Sequence, residues 1–210
     1  MQSDYFSSEM NIFLYRPITH PKRAILCGTL CLHTRTLLED FIPREVEELI
    51  VEMTLSPQRT DISYLFTQCG CIRKIIFKDS FDTSKVKNMY GLFLNCVSLE
   101  EIVFGSGFDT SLVEDMRDMF FNCIRLKSIT HRPLTVPNVL RFNTSNVESM
   151  SRMFYNVPKE LIDSLDISFF DMNNVRKHEM MHSRKEVVGL PLECTLVEWC
   201  PLAENDEELY

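Results

Sequence analysis

The chain has 210 residues and a formal net charge of −8 at pH 7. Its 45% hydrophobic and 25% charged content is ordinary for a globular protein, which argues against disorder of the whole chain and favours one domain with short appendages. The acidic balance repels nucleic-acid phosphates, and no apolar run approaches the ~18 residues of a membrane-spanning helix, so we expect neither a nucleic-acid partner nor a membrane span.

The cysteines and the first residues bear on the cellular compartment. None of the eight cysteines shows the paired C-x-x-C spacing of a structural zinc site. The N-terminus lacks the basic segment and apolar run of a signal peptide. We therefore expect free thiols, no cofactor and an intracellular location.

Residues 1–45 lack the repeat that fills the middle of the chain. The apolar edge of a repeat array needs a covering unit, and this segment is too short for an independent core of much stability. It is predicted to be an N-terminal cap.

A repeat of about 27 residues follows residue 45. Its clearest copies are FDTSKVKNMYGLFLNC from Phe81, FDTSLVEDMRDMFFNC from Phe108 and FNTSNVESMSRMFYNV from Phe142, the last delayed by about seven inserted residues. Short phrases rich in Ile, Val and Phe separate the copies and each predicts a β-strand of a parallel sheet. These phrases start at Val46, Ile72, Leu99, Leu126 and Ile162.

Within each copy, apolar residues recur at helical spacing. Ser111 with Glu114 also matches the S-x-x-E capping box of a helix N-terminus. One strand and one short helix per unit cannot bury an apolar face alone, so we expect neighbouring units to stack as a solenoid. In the first copy the residues at i, i+3, i+7 and i+10 are Val86, Met89, Phe93 and Cys96.

The repeat resembles the BspA-like leucine-rich repeats, and most closely their Met- and Phe-rich FDTSxVxxMxxMF type of mycoplasma lipoproteins and bacterial surface proteins. The resemblance implies an α/β leucine-rich-repeat solenoid, or horseshoe, with a parallel β-sheet on the concave face and short helices on the convex face. It also implies protein binding without catalytic residues, and it makes the cell surface the alternative location. Residues 46–182 are predicted to be this array, with four to five units and a degenerate last one.

The last unit contains the letters H-E-x-x-H, at His178, Glu179 and His182. On a helix this pattern can supply two zinc ligands and the general base of a metallopeptidase. Two cations precede the motif and two follow it, which opposes Zn²⁺ binding, and its frame matches the helix of the repeat. We predict a protein that is not an enzyme; a small zinc metallopeptidase and a purely structural stacking subunit are the alternatives. Residues 183–210 are predicted to form a C-terminal cap strand and an acidic tail.

The outward positions of the predicted strands form the candidate binding site. Successive strand residues point to opposite faces, so alternate residues are available to a ligand. Their apolar members make a short row flanked by charges, which is typical of protein-binding surfaces. We expect a monomer that binds a protein of unknown identity there; the alternative is a face that is only solvated or is covered by the N-terminal segment. The site residues are Glu48, Ile50, Lys74, Ile76, Glu101, Val103, Ser128 and Thr130.

Overall fold

The structure, a computed structural model, describes residues 5–7, 11–31, 38–132, 136–171 and 173. These residues contain eight strands and one short helix. The elements are β1 (Tyr5–Ser7), β2 (Ile12–Tyr15), β3 (Arg23–Leu30), β4 (Glu48–Val51), β5 (Thr54–Leu55), β6 (Lys74–Phe77), β7 (Glu101–Phe104), β8 (Ser128–His131) and α1 (Lys159–Ser164).

The strands form one largely parallel sheet in the order β1-β2-β3-β4-β6-β7-β8, with β5 paired to β3. From β3 to β8 along this order every pairing is parallel, whereas β1 and β2 add an antiparallel edge. Parallel neighbours require a crossover between them, and after β4 each crossover is one coil of the repeat. The chain therefore winds as a β-solenoid, which confirms the predicted solenoid and its parallel sheet.

The register of the sheet places equivalent repeat positions beside one another. Glu48 pairs with Lys74 and Lys74 with Glu101, and the next residues of the same strands, such as Leu49 and Ile75, follow in step. A second line of single parallel bridges links the coils away from the sheet, at Asp61, Asn88, Asp115 and Ser149.

The predicted convex helices require correction. Residues 62–69, 89–96, 116–123 and 150–157 form series of tight turns, which we call the turn segments. Their N–H groups reach the next coil: Met89 N donates to Asp115 O at 2.9 Å, and Phe93 N donates to Met119 O at 2.9 Å. An α-helix would use the same N–H groups for carbonyls four residues back, so the two arrangements exclude each other.

Each turn segment contains two residues with left-handed backbone. L-residues adopt this conformation singly and never through a helix, so its recurrence interrupts any helical run. The first member of each pair is Tyr64, Gly91, Asp118 or Arg152, and the second is Gln68, Asn95, Asn122 or Asn156, with φ between 53° and 62°.

The last coil departs from the others. The first half of the fifth strand phrase, predicted from Ile162, lies in α1, and after α1 a single bridge joins Asp166 to Val139. A new coil starts after it in the same register, because Thr144 Oγ1 donates to Asp171 O at 2.9 Å as Thr83 Oγ1 donates to Asp109 O at 2.6 Å.

The core consists of ladders of like side chains from successive coils. The rings of Phe66, Phe93, Phe120 and Phe154 stack with centroids 5.7, 5.5 and 5.4 Å apart. Aromatic side chains of this size each remove a large apolar area from water on folding, and their stacking binds successive coils together. The equivalent methionines, all fully buried, are Met89, Met116 and Met150.

A close approach between two coils at Gly107 gives a first stability prediction. A Cβ added at Gly107 would lie 2.3 Å from Asp79 O and 3.1 Å from Phe81 O. We expect Gly107→Ala to lower the free energy of unfolding by about 2–3 kcal/mol, because two backbones must separate to admit the methyl group. Urea unfolding measures the change. Gly70→Ala is the control, since its Cβ would meet nothing closer than 3.6 Å; equal losses in the two variants would contradict the argument.

Candidate functional site on the sheet face

The outward side chains of β3, β4, β6, β7 and β8 form one surface, which we call the sheet face. Burial alternates along the strands: Leu49 and Val51 are fully buried, whereas Glu48 and Ile50 are partly exposed. Because the strands are in register, each outward position forms a row that crosses the sheet. All eight residues predicted from the sequence lie on this face.

The apolar row runs along the middle of the sheet face. Its members are half-buried except Val103, which is 9% exposed and buried. The row is therefore more sheltered than the sequence predicted. In register it consists of Ile25, Ile50, Ile76, Val103 and Thr130.

The inner charged row lies two residues before the apolar row on the same strands. Arg23 pairs with Glu48 at 2.9 Å, and Lys74 pairs with Glu101 at 2.8 Å. Among the ion pairs of the described residues, none joins Glu48 to Lys74. The inner charged row thus consists of two separate ion pairs, with Ser128 continuing it on β8.

The outer charged row stands immediately before the strands and was not predicted. Glu47 accepts from Lys22 at 2.6 Å, and Glu100 accepts from Lys127 at 2.6 Å and from Arg73 Nε at 2.8 Å. Hydrogen bonds from Lys127 and Arg73 hold the pKa of Glu100 below its ordinary value. Surface pairs of this kind contribute little stability each, and they form a ladder of charge along the edge of the sheet where the strands begin.

The sequence contains a second pattern, separate from the alternation within the strands, from which this row could have been predicted. Its charge changes sign at every strand, from Lys22 to Glu47, Arg73, Glu100 and Lys127. Each member lies one residue before its strand, so the alternation within the strand does not include it. Ile25 was missed because residues 1–45 do not carry the repeat.

Metal-dependent catalysis needs several His, Cys, Asp or Glu side chains close together. Among the residues that the structure describes, no cluster of three or more of these side chains is placed to hold a metal ion. Burial raises the pKa of the thiols of Cys69, Cys96 and Cys123, which keeps them protonated. The H-E-x-x-H residues His178, Glu179 and His182 lie outside the described residues.

The part of the chain that the structure describes contains no helix long and apolar enough to cross a membrane.

Comparison with known proteins gives one match. The protein-family model described as "Mycoplasma protein of unknown function, DUF285" matches residues 60–192, more than half of the chain. The match includes all three clear copies of the FDTS-type repeat. Neither the curated proteins nor the solved structures contain a match.

Proposed function

We propose that this chain, which belongs to the DUF285 family of mycoplasma proteins, is a non-catalytic protein that binds another protein through its sheet face. The observation that carries the proposal is the apolar row, continuous over β3, β4, β6 and β7 and flanked on one side by the inner charged row. A core of apolar contacts with charged residues at its margin is the usual composition of a protein interface.

The charge of the sheet face supports the same proposal. The inner charged row carries two cations and two anions, so it is neutral within a chain of net charge −8. A neutral, partly apolar face can approach another protein without the long-range repulsion that the rest of an acidic surface produces.

We also propose the finer assignment of the repeat to the BspA-like leucine-rich-repeat type. The recurring Phe-Asp-Thr-Ser segments and the position of the strand phrases support it. The described coils close through the turn segments without helices, so the assignment rests on the repeat sequence and not on the helices of a horseshoe.

A substitution in the apolar row tests the proposed function. Ile76→Asp buries a carboxylate in the middle of the row, so we expect at least a tenfold lower recovery of the bound protein in a crosslinked capture from the source cells. Leu112→Asp is the control, because Leu112 is 42% exposed and lies outside the sheet face. Unchanged recovery with Ile76→Asp, in a variant that unfolds at the wild-type temperature, would exclude the sheet face as the binding surface.

A further inference from the structure

We infer that the sheet face fits a second copy of this chain, joined face to face across a two-fold axis that runs along the strands midway between β4 and β6. The inference rests on the proposed function, since it names the partner of the same surface. It replaces the monomer expected from the sequence with a weak, closed dimer.

The inner charged row is complementary to itself under this rotation. The operation reverses the order of the strands and keeps each position along them, so β4 of one copy faces β6 of the other and β3 faces β7. Glu48 then faces Lys74 of the second copy, and Arg23 faces Glu101. The unlinked neighbours Glu48 and Lys74 lie at the axis, where two copies bring four alternating charges together.

The apolar row agrees with the same axis. In it, Ile50 faces Ile76 of the second copy and Ile25 faces Val103. The inner charged row and the apolar row therefore both oppose groups that attract one another or bury one another's apolar surface. Strands of the two sheets run in the same direction, which is compatible with the aligned packing of β-sandwiches.

Moving the two-fold axis sideways by half the spacing between strands reverses this complementarity. With the axis on β6, Lys74 faces Lys74 of the second copy and Glu48 faces Glu101. With the axis on β4, Glu48 faces Glu48 and Arg23 faces Lys74. Like charges therefore disfavour the two registers displaced by half a strand spacing. Displacement by a full spacing, with the axis between β6 and β7, again opposes Lys74 to Glu101, but it leaves Glu48 opposite Ser128 and Ile50 opposite Thr130. The axis between β4 and β6 is thus the register that matches the most charged and apolar positions.

The size of the matched surface sets the expected affinity. Four strands at about 4.8 Å spacing and about 20 Å of strand and side-chain width give on the order of 400 Å² per copy, half of a standard interface. We therefore expect dissociation constants in the micromolar range or weaker. Because the side chains involved are 26% to 36% exposed, salt should weaken the dimer further.

Charge exchange at the axis tests the inference by sedimentation equilibrium, from about 10 μM to about 500 μM protein and at low and high salt. For the wild-type chain we expect an apparent mass that rises toward twice 24.6 kDa at low salt. Glu48→Lys and Lys74→Glu should each weaken dimerisation at least tenfold. The double variant should restore it to within about threefold, because the exchanged charges again face opposite ones across the axis.

A matched substitution separates the dimer contact from ion pairing in general. Glu114→Lys removes an exposed ion pair, Lys87 Nζ to Glu114 Oε1 at 2.8 Å, that also joins two coils but lies outside the strands of the sheet face. This substitution should leave dimerisation unchanged. A monomer at all concentrations, or a double variant as weak as the single ones, would overturn the second copy as partner. In that case the Ile76→Asp capture still tests the proposed function on its own, since it recovers other proteins bound to the sheet face as well as copies of this chain.

Discussion

Replacing Phe93 with alanine is expected to lower the free energy of unfolding by about 3–5 kcal/mol, the range for removing a large aromatic side chain from a core. Phe93 is fully buried in the middle of its ladder, with its ring centroid 5.7 Å from that of Phe66 and 5.5 Å from that of Phe120. The ring centroids of Phe77 and Phe104, from the strands, lie 6.0 and 6.3 Å away. Neighbouring coils on both sides lose contacts, and close-packed ladders collapse poorly into the space left behind.

Phe121→Ala is the matched control. Phe121 is half-buried and stacks on Tyr155 at 4.9 Å, outside the core ladders. Its loss should cost about 1 kcal/mol. Guanidinium unfolding of both variants, with the slope of the transition compared with wild type, gives the two values. A loss at Phe93 no larger than at Phe121 would mean that the ladder does not hold the coils together.

The sequence predicted β4, β6, β7 and β8 because their physical requirement is simple. It did not predict β1, β2, β3 or β5, and its fifth strand phrase begins inside α1. Alternate positions of the predicted strands are large and apolar, such as Ile75 and Phe77 in β6 or Ile102 and Phe104 in β7. Only a half-buried strand places residues with this spacing on one side. The same alternation located the outward residues of β4, β6, β7 and β8, which form much of the candidate site.

The turn segments were mistaken for helices because both structures bury the same positions. Met89, Phe93 and Cys96 face the core whether the chain follows a helix or turns tightly every three to four residues. The distinguishing signal is the residue at the second left-handed position, Asn95 in this coil. Asparagine tolerates left-handed backbone better than most residues, and its recurrence once per repeat indicates a turn, which the apolar spacing alone cannot.

The capping pattern was misleading for a similar reason. In the structure Asp109 Oδ1 accepts from Ser111 N at 2.8 Å, an Asx turn, while Glu114 pairs with Lys87 of the preceding coil. Local side-chain bonds to backbone serve turns and helix starts alike. What decides between them is the pairing of coils far apart in sequence, which no local pattern contains.

A buried histidine makes the stability of the fold depend on pH. His131 occupies the position that Phe104 holds in the coil before it, 6% exposed and with its ring centroid 4.9 Å from that of Phe104 and 5.3 Å from that of Phe142. Its Nε2 is buried without a hydrogen-bond partner among the described residues. Burial, reinforced by the positive charge of Arg141, lowers the pKa of His131 from 6.5 to about 4.

The direction of the effect follows from the two states of the chain. Between pH 6.5 and about 4 the unfolded chain binds a proton that the folded chain does not. The contribution of neutral His131 to stability is therefore complete above pH 6.5 and declines as the pH falls toward 4. From pH 7.5 to pH 5 the loss should be about 2 kcal/mol.

His131→Phe isolates this contribution. The substitution extends the ladder of Phe77 and Phe104 with a side chain that cannot be protonated, so the variant should keep its stability where the wild type loses it. Exposed carboxylates with lowered pKa, such as Glu100 and Asp79, also favour unfolding in acid, but they are common to both proteins and cancel in the difference. Urea unfolding at pH 7.5, 6 and 5 measures that difference. If the free energies of unfolding of the two proteins change in parallel with pH over this range, the folded chain accommodates the protonated imidazole. The inference that buried His131 stays neutral would then be wrong.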